Sequence, residues 1–167
     1  VFSSNPPYID VDNPVGTYRR TFTVPRNWQE REVFLHFGSI SGYARIYVNG
    51  QQVGMTKASK TPAEFNVTNY QKEGENLLAV QIYRWHDGSY MEDQDFWRLT
   101  GIERDVFLQA YPKLTIWDFF LKSSLDSTYK NGIFNATVDL REFTGNNVKK
   151  GTLKLELLDK TGKIVLS

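Results

Sequence analysis

Tyr43-Ala44-Arg45-Ile46-Tyr47-Val48-Asn49-Gly50-Gln51-Gln52-Val53 holds two strand-like runs joined by Asn-Gly. A type I′ hairpin turn needs positive φ at both central residues, and Asn-Gly adopts it readily, so the stretch predicts an antiparallel hairpin. Outward from it the dominant period is two. Thr17 to Val24 puts Tyr18, Arg20, Phe22 and Val24 on one face and Thr17, Arg19, Thr21 and Thr23 on the other. Successive strand side chains point to opposite faces, which predicts a strand with two different surroundings. Val33 to Phe37, ended by Gly38, reads as another strand, and so does Asp105 to Ala110. Leu77 to Tyr83 is nearly continuous apolar sequence closely preceded by Gly74. It reads as a strand buried on both faces, with a helix fragment as the alternative. Thr61 to Thr68 is short and extended, and Thr68 to Gln71 fits one helical turn. No segment has the caps and length of a long amphipathic helix. Many short strands separated by turns predict an all-β jelly roll or sandwich.

Tyr111-Pro112-Lys113 is the expected boundary, because proline ends a ladder and fixes the chain locally. Residues 1–112 form the first expected domain and 113–167 the second. Strands are expected at Leu114–Lys122, Ile133–Leu140, Thr152–Leu158 and Ile164–Leu166, with a turn at Asp159-Lys160-Thr161-Gly162. An immunoglobulin-like sandwich has roughly seven strands in about 100 residues, so the second domain reads as an incomplete one.

The 167 residues are 40% hydrophobic and 23% charged, enough to bury a core. A net charge of +1 provides no basic field for nucleic acid or for an acidic membrane surface, so neither is expected as a partner. The lack of cysteine removes disulfides, thiol nucleophiles and cysteine-ligated zinc, and leaves the redox compartment open. No apolar stretch approaches the roughly 18 residues of a membrane span. Val1-Phe2-Ser3-Ser4-Asn5-Pro6-Pro7 lacks the charged and apolar regions of a signal peptide. Both ends read as cut, so the chain is expected to be a piece of a larger protein.

One segment stands apart: Arg84-Trp85-His86-Asp87-Gly88-Ser89-Tyr90-Met91-Glu92-Asp93-Gln94-Asp95-Phe96-Trp97-Arg98. Aromatic rings stack on the C–H faces of sugars and carboxylates accept from hydroxyls, so the run has what a carbohydrate subsite needs. The plainer reading is a solvated loop whose aromatics fill the core and whose acids pair with Arg84, Arg98 and Arg104. A retaining glycosidase pair needs two carboxyls about 5 Å apart. Asp93 and Asp95 on one strand face would be about 6 to 7 Å apart, but a lone loop has no pocket walls. His36 and His86 lack metal-ligand spacing. His86-Asp87 beside Ser89 lacks a nucleophile elbow. Gly38 to Gly42 lacks the Lys-Ser/Thr ending of a phosphate loop.

With Gly101-Ile102 and Arg104-Asp105-Val106, this segment resembles the N-terminal domain of bacterial beta-galactosidases of glycoside hydrolase family 2. Asn5-Pro6-Pro7, Asn13-Pro14, Val48-Asn49-Gly50, Val53-Gly54, Glu64-Phe65 and Gly74-Glu75-Asn76 match in order. The resemblance implies a galactose-binding-like jelly roll followed by part of an immunoglobulin-like domain. It implies retaining hydrolysis of terminal β-galactosides by a TIM barrel that this chain lacks, so no catalytic residue is expected here and the chain alone is expected to be inactive. Asp95 matches the carboxylate that helps form the galactosyl subsite and binds a monovalent cation, sodium or potassium. Phe96-Trp97 is expected to pack and hold it still. Magnesium is implied for the intact enzyme only. The implied partners are a β-galactoside and the barrel, with a homo-oligomer left open; the implied setting is bacterial, cytoplasmic or periplasmic. Alternatives are a beta-glucuronidase, a beta-mannosidase or a free-standing carbohydrate-binding module.

Overall fold

The computed structural model describes residues 4–92, 95, 97–145 and 151–166. Its strands are β1 (Val15–Thr23), β2 (Glu32–Phe37), β3 (Ile40–Ser41), β4 (Tyr43–Val48), β5 (Gln51–Thr56), β6 (Ala63–Asn66), β7 (Glu75–Tyr83), β8 (Gly101–Ile102), β9 (Val106–Tyr111), β10 (Leu114–Leu125), β11 (Gly132–Glu142), β12 (Leu157–Leu158) and β13 (Ile164–Leu166). The only helical elements among the described residues are 3-10 turns at Arg26–Trp28 and Asp87–Tyr90. Two compact units make up the chain, Val1–Lys113 and Leu114–Ser167.

In the first unit the hairpin turn forms as its residues require. Asn49 and Gly50 have φ of 52° and 82°, and β4 pairs antiparallel with β5. The strands build a four-stranded sheet, β1-β7-β4-β5, and a three-stranded one, β6-β2-β9, with β3 and β8 paired separately. Alternation on three strands makes the core of this sandwich. Val33, Leu35 and Phe37 come from β2, Ala44, Ile46 and Val48 from β4, and Val80 and Ile82 from β7. Each fully buried branched or aromatic side chain contributes about 1.5–3 kcal/mol of transfer free energy.

Leu77 to Tyr83 is strand, not helix, but it is fully buried on one face only. Val80 and Ile82 face the core, whereas Leu77, Ala79, Gln81 and Tyr83 are half-buried on the other side. The reason is that the four-stranded sheet has core on one side alone. β1 does alternate, yet it lies at the sheet edge, so only Phe22 along its length is shielded. Thr68 to Gln71 makes one turn, with the Tyr70 and Gln71 N–H groups donating to the Val67 carbonyl.

A buried polar knot closes the hairpin end of this unit. Asn76 is 1% exposed. Its Oδ1 accepts from Lys72 N at 2.7 Å and from Asn49 Nδ2 at 2.8 Å. Its Nδ2 donates to the Lys72 and Gly74 carbonyls at 2.9 and 3.1 Å. Asn49 Oδ1 accepts from Leu77 N at 3.0 Å, so the hairpin turn is tied to β7 through side chains.

The second unit is built on the β10/β11 hairpin, with β12 paired to β13. Asp126 nucleates the hairpin loop. Its carboxylate accepts from Thr128 N, Thr128 Oγ1, Lys130 N and Asn131 Nδ2 at 2.7 to 3.1 Å. These donors, Asn131 first, hold its pKa down to about 2. Arg141 lies 3.6 Å over the Trp117 ring, a cation–π contact across the hairpin. The expected strand from Thr152 shrinks to Leu157–Leu158. Residues 152–156 have no ladder partner among the described residues, and a strand exists only where its backbone groups are paired.

Candidate functional site

The acidic-aromatic segment leaves β7 and crosses one end of the first unit. Its base is fixed by backbone and amide bonds. Arg84 N donates to the Pro14 carbonyl at 3.1 Å. Asn13 clamps Trp85 from both sides, Oδ1 accepting from Trp85 N and Nδ2 donating to Trp85 O, each at 2.9 Å. The Arg84 guanidinium lies 4.7 Å over the Trp85 ring.

His86 then caps the Asp87–Tyr90 turn. Its Nδ1 accepts from Gly88 N at 3.2 Å, and its backbone N donates to Ser89 Oγ at 3.1 Å. This reciprocal pair is a capping box, which satisfies donors that a turn's start leaves free. The His86 side chain is 7% exposed. A Cβ on Gly88 would stand 2.6 Å from His86 Cε1, so the glycine lets the ring close over the turn. Ser89 and His86 thus serve the backbone and form no nucleophile–base pair. Asp87 binds Lys57, and this hydrogen bond first of all holds its carboxyl below the usual aspartate range. Tyr90 Oη donates to the Tyr8 carbonyl and anchors the far end of the turn.

Between this loop and residues 41–42 and 59–60 lies a cavity of about 280 Å³, lined among others by Lys60, Arg84, Trp85, His86, Glu92 and Arg98. Lys60 is paired with Glu103 at 2.9 Å, and Ser39 Oγ donates to the same carboxylate at 3.1 Å. Lys60, the larger cause, keeps Glu103 below the ordinary glutamate range. Gly42 floors the cavity with φ of 107°. A Cβ there would stand 2.6 Å from the Tyr83 carbonyl oxygen. The Gly38–Gly42 stretch therefore carries the short strand β3 and ends in Ser41 and Gly42 at the cavity wall, a role its spacing did not reveal.

Asp95 is exposed, with no hydrogen bond or ion pair to a described residue. It does not join Arg98 or Arg104, as the plainer reading required. The expectation that Trp97 packs is overturned: its side chain is 84% exposed. Met91 at 81% and Leu99 at 64% share this exposure, although Trp97 and Leu99 also line the cavity. Asp93 and Phe96 lie outside the described residues. His36 is far from any ligand set. Its Nδ1 is 2.8 Å from Glu64 Oε1 and its ring stacks on Phe107 at 4.5 Å. Among the described residues no group of three or more His, Cys, Asp or Glu is arranged to hold a metal ion.

Residues 2–112 match the family described as "Glycosyl hydrolases family 2, sugar binding domain". The chain belongs to glycosyl hydrolases family 2. Among its family 2 relatives, the "Beta-galactosidase" of Priestia megaterium is 41% identical over 162 residues, 96% of this chain and 16% of the relative. That of Vibrio cholerae is 38% identical over 164 residues, again 16% of the relative. The chain thus spans about a sixth of the length of these curated relatives. In structure it is similar to an uncultured Clostridium sp. beta-glucuronidase, with a TM-score of 0.74 and 30% identity over 90% of this chain and 27% of that one. No helix among the described residues is long and apolar enough to cross a membrane.

Proposed function

We propose that this chain is the sugar-facing, non-catalytic module of a family 2 β-galactosidase that hydrolyses terminal β-galactosides with retention in a barrel outside these residues. The observation that carries the reading is 41% identity over 96% of the chain to a relative of that name. The loop chemistry supports a non-catalytic role: Asp87 is tied to Lys57, and Ser89 and His86 are spent on a capping box. The exposed Trp97, Met91 and Leu99, three large apolar side chains within nine residues, support burial of this loop against another domain.

Asp95 is the proposed substrate-binding and cation-binding residue. An exposed carboxylate with no described partner fits one oxygen ligand to a sodium or potassium ion, with the remaining ligands from outside the described residues. The ion would supply a positive anchor for a sugar hydroxyl, and Asp95 would hold that anchor. One carboxylate does not make a magnesium site, so magnesium is assigned to other parts of the intact enzyme. The chain by itself is expected to turn over no galactoside, because retaining hydrolysis needs two opposed carboxyl groups.

Steady-state kinetics of the intact enzyme across a sodium and potassium series test this. Asp95→Asn is expected to lower kcat/KM at least about tenfold, roughly 1.4 kcal/mol, and to blunt activation by the cation. Asp93→Asn is expected to do less. Unchanged kinetics and cation response in a folded Asp95→Asn enzyme reject the assignment. Faster turnover of an aryl β-glucuronide than of the galactoside moves the enzyme to the activity named for its structural neighbour.

A further inference from the structure

The outer face of the β1-β7-β4-β5 sheet carries a cluster that neither the fold nor the loop site uses. Tyr43 and Tyr83 are directly paired across β4 and β7, with ring centroids 5.5 Å apart and planes tilted by 41°. Arg45, one row along, has its guanidinium carbon 5.5 Å from the Tyr43 centroid and 5.6 Å from that of Tyr83. Its Nε donates to the Tyr43 hydroxyl at 2.9 Å. Two rings, the hydrogen bond from Nε and Tyr47 as a further hydrogen-bonding neighbour therefore hold the guanidinium in place before any ligand arrives.

The surrounding register shows what this face offers. Three cross-strand rows run Val15–Tyr83–Tyr43, then Thr17–Gln81–Arg45–Met55, then Arg19–Ala79–Tyr47–Gln52. The charged side chains in these rows are Arg19 and Arg45, with no carboxylate among them. Tyr43, Arg45, Gln81 and Tyr83 are half-buried, and Thr17, Arg19 and Met55 are exposed. A face of this kind combines flat aromatic surface, amide and hydroxyl groups, and uncompensated positive charge.

We propose that this face binds an acidic oligosaccharide, whose sugar C–H faces lie on Tyr43 and Tyr83 and whose carboxylate is taken by Arg45, with Arg19 two strands away adding positive charge to the same face. With Nε on Tyr43 and Tyr47 as a further hydrogen-bonding neighbour, Arg45 keeps its remaining Nη donors and its full charge for a carboxylate. Charge complementarity selects an acidic ligand over a neutral one. Two cations on the face and a net charge of +1 are too few for a nucleic acid, whose binding neutralises many phosphates. Acidic peptides are taken by clustered arginines or by a free sheet edge, whereas this face has two arginines on separate strands and backbone groups spent within the ladders. The proposal does not use Asp95 and does not depend on which sugar the intact enzyme hydrolyses.

The test is calorimetric titration of the intact protein with tetragalacturonate, neutral galactotetraose and a single-stranded tetranucleotide at two salt concentrations. Tetragalacturonate is expected to bind with a sub-millimolar Kd, at least about tenfold tighter than the neutral chain, and to weaken as salt rises. Arg45→Gln is expected to remove that preference. Arg45→Lys, which keeps the charge without the fork, is expected to retain part of it. Asp95→Asn is expected to leave it unchanged, which separates this site from the loop. Thermal melts confirm that each variant is folded. Equal affinity for acidic and neutral chains, tighter binding of the oligonucleotide, or full affinity in a folded Arg45→Gln protein overturns the proposal.

Discussion

Replacing Asn76 by alanine is expected to destabilise the first unit by about 2–4 kcal/mol, at roughly 1 kcal/mol for each hydrogen bond lost. Four bonds disappear together: two accepted by Oδ1, from Lys72 N and Asn49 Nδ2, and two donated by Nδ2, to the Lys72 and Gly74 carbonyls. The upper figure counts all four. The lower one allows for water, because Lys72 and Gly74 are exposed and their backbone groups can be rehydrated. Asn49 is less able to recover, since its Nδ2 lies under the turn, with Tyr70 O at 2.9 Å as its remaining acceptor. Asn76→Asp is expected to cost at least as much at neutral pH. It replaces two donors with acceptors facing carbonyl oxygens at a site 1% exposed, which raises the pKa of the introduced carboxyl in the folded state. Its penalty is therefore present above that pKa and shrinks as pH falls through it. Equilibrium urea unfolding read by tryptophan fluorescence measures both, with Trp28 packed against this core as reporter. A loss below about 1 kcal/mol for Asn76→Ala would show that the knot adds little to stability.

Two further outcomes follow from the second unit. Asp126 has its folded-state pKa lowered from the ordinary 3.8 to about 2. Its stabilisation is therefore fully present above pH 3.8 and is lost as pH falls through 2. Carboxyl-carbon NMR titration should place its midpoint there, and Asp126→Ala should remove that part of the acid dependence. The β10/β11 hairpin bares Ile116, Phe119, Phe120 and Leu140 at 52 to 68% exposure, so the 167-residue chain is expected to self-associate through residues after Pro112. Sedimentation of a chain ending at Tyr111 checks this, and equally strong association without the second unit rejects it.

The parts of this protein legible from sequence were those governed by near neighbours. Asn49-Gly50 specifies its turn because the φ values it needs, 52° and 82°, belong to those two residues. The alternation in β4 specifies which of its side chains enter the core, because strand period is a local property, whereas β2 buries Glu32 to Leu35 in succession. The Asp159 turn is of the same kind, its Oδ1 accepting from Thr161 N at 2.7 Å and Lys163 N at 3.1 Å. The Arg84–Arg98 run stood apart by composition alone, as the one stretch that concentrates carboxylates and aromatics.

Only the tertiary structure decided who meets whom across long stretches of chain. Asp87 finds Lys57, not a nearby arginine, and His86 folds onto its own turn, so residues that looked chemical in sequence became structural. Trp97 lines the cavity and still stays 84% exposed, which no local pattern encodes. Residues 152–156 alternate and still form no strand, since pairing requires a neighbour that period cannot supply. The Tyr43–Arg45–Tyr83 face exists only because β4 and β7, distant in sequence, lie side by side in one register. Backbone torsions and side-chain alternation are set within a few residues, whereas ion pairs, ring contacts and ladders are set by topology. The fold class was therefore determined by sequence, and the partners of each side chain were determined by the fold.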